Sequence, residues 1–178
     1  AWVNVAKAIA NLKTGKVLTP RKLAAADTDT ITSMIRPAGY YNQKEQTLRD
    51  FLNWFSKYRY SFANLEKTAT DVLRRELLMV RRIGPETADS ILLYALDRKL
   101  FVVDAYTRRI FSRVGVLDGD EGYQQIQELF HRDFNGETKD YNEYHALIVA
   151  HGKDVCKKKP LCEQCCIRNF CMRKGVAA

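Results

Sequence analysis

The sequence predicts an all-α protein. Apolar residues recur at helical spacing in segment after segment, and no alternating run is long enough to pair as a strand. The 178 residues, 46% apolar and 28% charged, are enough to bury a sizeable core. That length fits one domain or two small lobes sharing a core, and the composition fits neither a disordered chain nor a membrane protein. No stretch approaches the roughly 20 uninterrupted apolar residues that crossing a bilayer requires. The start, Ala1-Trp2-Val3-Asn4, has no basic region leading into an apolar core, so no signal peptide is expected. It also lacks an initiator Met, which points to a processed or trimmed N-terminus.

The expected elements follow in order. Trp2, Val5, Ala6, Ile9 and Leu12 share one helical face, and Gly15 closes that run. Thr19-Pro20 reads as a cap followed by a first-turn proline. Asp27 or Asp29 caps a short helix carrying Ile31, Met34 and Ile35, closed by Pro37 and Gly39. Leu48, Phe51, Leu52 and Phe55 form an i, i+3, i+4, i+7 stripe. Leu73, Leu77 and Val80 form a second, and Ala88, Ile91, Leu92, Ala95 and Leu96 a third, the most regular in the chain. Lys99-Leu100-Phe101-Val102-Val103 is too short and isolated to find a strand partner. Low-complexity segments and clear internal repeats are absent from the sequence.

Charge and cysteine are unevenly spread. There are 29 Lys and Arg against 21 acids, a formal +8, which favours an anionic partner: nucleic acid first, an acidic membrane surface second. All five Cys fall in the last 23 residues, at 156, 162, 165, 166 and 171. A disulfide-stapled secreted fold would scatter them, so the cluster reads as a metal site in a reducing compartment. From Lys153 to Lys174 seven basic residues face Asp154 and Glu163, a net +5 beside the thiols. Four thiolates in one short loop suit either an iron–sulfur cluster or tetrahedral zinc.

Between the second and third stripes lies Val80-Arg81-Arg82-Ile83-Gly84-Pro85-Glu86-Thr87-Ala88, two apolar helices joined by a tight Gly-containing turn. Such a hairpin (about 80–88) can aim backbone N–H groups and a helix N-terminus at a phosphate, with Arg81 and Arg82 adding charge. It also reads as an ordinary αα-hairpin of a helical core. About twenty residues on, Asp104 follows the apolar Phe101-Val102-Val103 and precedes a helix with arginines. It is a helix N-cap, a carboxylate held at the edge of a cleft, or both at once.

Taken together, Ile83-Gly84-Pro85-Glu86-Thr87-Ala88, Val102-Val103-Asp104 with its following helix, the terminal Cys cluster, and Arg36-Pro37-Ala38-Gly39-Tyr40-Tyr41-Asn42-Gln43-Lys44 resemble the endonuclease III branch of the helix-hairpin-helix DNA glycosylases. The form is closest to endonuclease III-related proteins, a group that includes a bacterial 3-methyladenine DNA glycosylase. The resemblance covers nearly the whole chain in the right order. It implies an all-α fold of two helical lobes with a cleft between them and a C-terminal iron–sulfur loop. One lobe would run over 15–113, and the other would comprise 1–14 plus 114–178, ending in the cluster loop 156–171. It implies hydrolysis of an N-glycosidic bond in double-stranded DNA, the target base being flipped from the stack at a cost of a few kcal/mol. Asp104 stands at the family's catalytic Asp, and Arg81, Arg82, Ile83, Gly84, Glu86, Thr87, Lys44 and Arg108 stand toward the DNA.

Three departures shape that expectation. Family members with strand-cleaving lyase activity carry Lys two residues after the second hairpin Gly, where this chain has Glu86, which cannot form a Schiff base. A monofunctional glycosylase is therefore expected, with an alkylated base as first substrate. The alternatives are a bifunctional glycosylase/lyase using another Lys and a non-catalytic iron–sulfur DNA-binding module. Glu86 also reads as a first-turn acid favoured by the helix dipole. Second, Arg82 replaces the family's usual Gly, and its Cβ restricts the turn. Third, the family's preceding helix and Gln-Asn segment are not in this sequence, so part of the recognition surface is missing or supplied differently. The spacing Cys156-x5-Cys162-x2-Cys165-x5-Cys171 resembles the family's [4Fe–4S] loop, although its first gap is one shorter; Cys166 is the spare thiol. The [4Fe–4S] cluster is expected, with structural Zn as the alternative. The protein is expected to be a monomer, without membrane association, in the cytoplasm and at the nucleoid through DNA. His145 and His151 read as structural; Tyr40, Tyr41 and Tyr106 stack on a base or pack in the core, and Trp54 packs in the core.

Overall fold

The computed structural model describes residues 2–176. Among them all regular structure is helical, as expected. The α-helices are α1 (Trp2–Thr14), α2 (Pro20–Ala25), α3 (Thr28–Ile35), α4 (Tyr41–Ser56), α5 (Phe62–Glu66), α6 (Thr70–Met79), α7 (Pro85–Leu96), α8 (Ala105–Val114), α9 (Tyr123–Asp133) and α10 (Thr138–Asp154). Short 3-10 turns occupy Arg36–Ala38, Cys162–Gln164 and Arg168–Phe170. The chain divides into two compact units, Ala1–Gly84 and Pro85–Ala178, so α1 groups with α2 to α6 rather than with the C-terminal segment.

In the first unit the caps follow local chemistry. Thr19 accepts the Lys22 N–H ahead of Pro20. Of the two candidate acids, Asp27 is the cap of α3: its Oδ1 accepts the Thr30 N–H at 2.7 Å and its Oδ2 the Thr30 hydroxyl at 2.7 Å. Ala8, Leu12, Leu23, Ile31, Ile35 and Leu52 form the core. The face of α1 differs from the expected one, because Ala8 and Leu12 are buried whereas Trp2 and Ile9 are exposed. Gly15 permits the close approach of α1 to α3, since a Cβ there would lie 2.5 Å from the Met34 methyl. Arg49 ties α4 to the end of α2, donating to the carbonyls of Leu23, Ala24 and Ala26 while paired with buried Glu45. Trp54 is a core residue, as expected, and its ring N–H donates to Glu76 at 2.7 Å.

The second unit packs α7 to α10 around Leu93, Phe101, Val102, Val103, Ile110, Ile126, Phe130, Tyr141 and Ile148. The face of α7 is rotated from the expected stripe: Ala95 is exposed, and Asp89 and Leu93 are fully buried. Asp89 tolerates that position because its Oδ2 accepts from Tyr123 Oη at 2.8 Å and Gln127 Nε2 at 2.7 Å. The apolar segment before Asp104 is extended without a partner strand, and α9 supplies what a ladder would. The Phe101 N–H donates to His131 Nε2 at 3.0 Å, the Phe101 carbonyl accepts from Gln127 at 2.7 Å, and the Val103 N–H donates to Tyr123 Oη. Gly152 lets α10 lie close on α8, since a Cβ there would sit 2.5 Å from the Tyr106 ring.

Candidate active site and the thiol-lined cavity

Asp104 is the N-cap of α8. Its extended backbone (φ −106°, ψ −177°) lets Oδ1 accept the Thr107 N–H at 2.7 Å and the Thr107 hydroxyl at 2.9 Å. The residue is only 8% exposed. Its second oxygen, Oδ2, faces His145 Nε2 at 3.6 Å, and the Nδ1 of that ring lies 2.5 Å from Tyr94 Oη. Burial pushes the Asp104 carboxyl up, but the nearby His145 imidazole and the two hydrogen bonds from Thr107 outweigh it and hold the group below the usual carboxylate range. Glu86, in the first turn of α7, is pushed the other way, first by desolvation and then by the negative charge of Asp104, with His145 opposing. Burial and the same charge raise the Tyr94 hydroxyl. Asp104, Glu86, Tyr94 and His145 thus form one electrostatic group carried by α7, α8 and α10.

Sequence reasoning left His145 out of this group. A lone His in an amphipathic helix carries no pattern of its own. The available signal was that His145 lies in register with Tyr141, Ile148 and Gly152 on the buried face of α10.

The residues expected to meet DNA are not all alike. Arg81 pairs with Asp50 at 3.1 Å and is 58% exposed at its side chain. Arg82 is exposed and takes a left-handed φ of 64°, the conformation that the usual Gly would adopt freely. Ile83 is buried in the turn, its N–H donating to the Val80 carbonyl, while Gly84 and Thr87 are exposed. Lys44 donates to the Ala38 carbonyl at 2.6 Å, bracing the turn in which Gly39 (φ 67°) and Tyr40 (φ 47°) precede α4. Arg108 donates to the Glu121 carbonyl at 2.7 Å and so holds the loop before α9. Tyr40 is 80% exposed, and Tyr106 packs under the Arg109 guanidinium at 5.0 Å.

Four cysteines, Cys156, Cys162, Cys165 and Cys171, line one cavity with Ile110, Val114 and Ile167, whereas Cys166 is exposed and is not part of its wall. Among the described residues no three His, Cys, Asp or Glu converge as ligands of a single ion. Burial is the first cause that raises the Cys165 thiol, and charge on Cys166, Cys156 and Cys171 adds to it. Two arginines of α8 hold the start of this loop. Arg109 donates to the carbonyls of Gly152 and Cys156, and Arg113 to those of Lys157 and Lys158 and to Cys156 Sγ at 3.3 Å. His151 Nε2 lies 3.6 Å from Cys165 Sγ.

Comparison with known proteins gives the family of the chain. A sequence model of the family described as "HhH-GPD superfamily base excision DNA repair protein" matches residues 1–135. A protein of Methanocaldococcus jannaschii named as a candidate DNA repair glycosylase is 46% identical over 176 residues, 98% of this chain and 80% of its own. An endonuclease III of Sulfolobus acidocaldarius is 34% identical over 155 residues, 86% of this chain and 67% of its own. Among solved structures, an H. pylori 3-methyladenine DNA glycosylase bound to 1,N6-ethenoadenine superposes with a TM-score of 0.76 at 28% identity, covering 86% of this chain and 78% of that one.

Proposed function

Because the chain belongs to the HhH-GPD superfamily of base excision DNA repair proteins and is a DNA glycosylase of that family, we propose the finer reading that its site supports best: a monofunctional enzyme that hydrolyses the N-glycosidic bond of an alkylated base in double-stranded DNA. The observation that carries it is Asp104, an almost fully buried carboxylate kept ionised beside Glu86. Breaking the bond between base and sugar builds positive charge on the deoxyribose, and a fixed negative charge nearby lowers that barrier. Thr107 occupies Oδ1, which leaves Oδ2 to face the sugar or orient the attacking water. The water oxygen bonds to the sugar carbon, the bond to the base breaks with its electron pair leaving on the base, and the water's surplus proton passes to bulk solvent, so that an alkylated cationic base departs neutral. A carboxyl held low is a poor base but a good counter-charge, so stabilisation of the cationic sugar is its main role.

Glu86 stands where the family's lyases carry Lys, and a carboxylate cannot form the Schiff base that cuts the strand. Two acids at one site also favour a base bearing positive charge, which N-alkylation of a purine supplies. The structural likeness to a 3-methyladenine glycosylase supports the same substrate class. Cys156, Cys162, Cys165 and Cys171 would hold a [4Fe–4S] cluster that orders the basic loop against DNA, remote from hydrolysis. Arg81, Arg82, Ile83, Gly84, Thr87, Lys44 and Arg108 are proposed on the DNA side. The reading also takes the protein to work as a monomer on DNA, in the cytoplasm at the nucleoid. Among the described residues no helix is long and apolar enough to cross a membrane.

The test is a single-turnover assay on duplexes carrying an alkylated purine, uracil or an oxidised pyrimidine, each split into samples with and without hot alkali. Strand breaks confined to alkali-treated samples of the alkylated duplex are expected, and Asp104→Asn abolishes them while duplex binding survives. Breaks without alkali mean lyase chemistry and overturn the role given to Glu86. Binding without base release of any kind means a binding module instead.

A further inference from the structure

We infer that His145 is a positioning residue for the Asp104 carboxylate, and that Tyr94 fixes the tautomer in which it acts. The effect on rate presupposes the glycosylase reading, whereas the geometry does not. Three helices bring the groups together: Asp104 caps α8, His145 lies within α10, and Tyr94 lies in the last turn of α7. His145 is 7% exposed, and its two ring nitrogens meet different chemistry. Nδ1 sits 2.5 Å from the Tyr94 hydroxyl. Nε2 is buried without a hydrogen bond of ordinary length and faces Asp104 Oδ2 at 3.6 Å.

Only one neutral tautomer suits both neighbours. A phenol keeps its proton at neutral pH and donates it to Nδ1, so the ring proton resides on Nε2 and points at the carboxylate. The other tautomer would set a nitrogen lone pair against a buried negative charge. Thr107 already occupies Oδ1, so the oxygen that His145 addresses is the one left for chemistry. At 3.6 Å the imidazole stops just short of hydrogen-bond distance, and a small swing of the carboxylate closes the gap. The titratable groups at this carboxylate are Glu86 and Tyr94 from α7 and His145 from α10, with the Thr107 hydroxyl from its own helix.

Two readouts test the assignment in the full chain. The first is the pH–rate profile of single-turnover base release for wild type, His145→Ala, His145→Gln and Tyr94→Phe. His145→Ala should lose about ten- to a hundredfold in rate at neutral pH, as misplaced catalytic groups do, and the acid limb of its profile should move to higher pH. His145→Gln, which keeps an N–H toward Asp104, should recover most of both. Affinity for a duplex carrying a tetrahydrofuran abasic analogue should stay unchanged throughout. The second readout is independent of turnover: the titration of the Asp104 carboxyl by 13C NMR, together with the tautomer of the His145 imidazole by 15N NMR. Asp104 should titrate at higher pH in His145→Ala, and Tyr94→Phe should mix the two tautomers. An unmoved acid limb and Asp104 titration, or a Gln variant as impaired as Ala, overturns the assignment. If the carboxyl titration moves while wild type releases no base from any lesion, the positioning stands and the glycosylase reading falls. Should His145→Ala fail to fold, His145→Gln and Tyr94→Phe carry the same test.

Discussion

Asp104 caps α8 and, in the proposed function, also supplies the charge for chemistry. Its folded pKa lies below its ordinary value of 3.8, so the stability it contributes is fully present above about pH 4 and is lost as pH falls through the lowered value. Asn caps a helix as well as Asp does, so Asp104→Asn isolates the charge. The difference in melting midpoint between the two proteins should be largest above about pH 4 and vanish at more acid pH, measured by thermal melts across that range. Arg82 is a second residue-scale case. Its left-handed backbone (φ 64°) costs an L-residue about 1 kcal/mol that glycine does not incur. Arg82→Gly should therefore raise the midpoint by about 2–4 °C, a direction that calorimetry reads directly. The glycine expected at that position was legible from resemblance, but the turn's tolerance of arginine was not, because φ is set by neighbours on both sides.

At the scale of elements, α8 is the spine of the second unit: its N-cap presents Asp104, and its Arg109 and Arg113 clamp the start of the cysteine loop. Its close packing against α10 depends on Gly152, where any Cβ meets the Tyr106 ring. Gly152→Ala should destabilise the protein by about 1–3 kcal/mol, as overpacking does, measured by urea unfolding. The extended segment before α8 depends on His131, whose Nε2 must stay unprotonated to accept the Phe101 N–H. Burial is the first cause that lowers this imidazole below 6.5, with Lys99 lowering it further and Asp89 opposing. A lowered histidine contributes stability that is complete above about pH 6.5 and is lost as pH falls through the folded value. Unfolding midpoints should thus drop between about pH 7.5 and 5.5, and His131→Gln should flatten that dependence. Element existence was legible because 3.6-residue periodicity is a local property. The rotation of α1 and α7 was not, because Trp2 and Ala95 look as apolar in the sequence as the residues that are buried, and Asp89 enters the core only through partners from α9.

At the scale of the whole molecule, charge and cluster are the testable quantities. With a formal +8, much of it beside the thiols, affinity for duplex DNA should fall steeply with salt. Replacing Lys157, Lys158 and Lys159 by Ala should shallow the log–log slope by up to about 0.9 for each phosphate these lysines neutralise, read by titration at several salt concentrations. If the proposed [4Fe–4S] cluster is held by the cavity thiols, Cys165→Ser should lose bound iron and brown colour, whereas Cys166→Ser, which alters a thiol outside the cavity, should keep both. Sequence alone determined the helical class, because 3.6-residue periodicity is written along the chain, and it offered Asp104 and four of the five cysteines as candidates through capping chemistry and ordered motifs. Only the tertiary structure decided that His145 and Tyr94 join Asp104, that Arg108 and Lys44 brace loops, and that α9 stands in for a partner strand. Those interactions join residues such as Tyr94 and His145, 51 positions apart. No local pattern records which distant side chain will satisfy a buried polar atom once helices have packed.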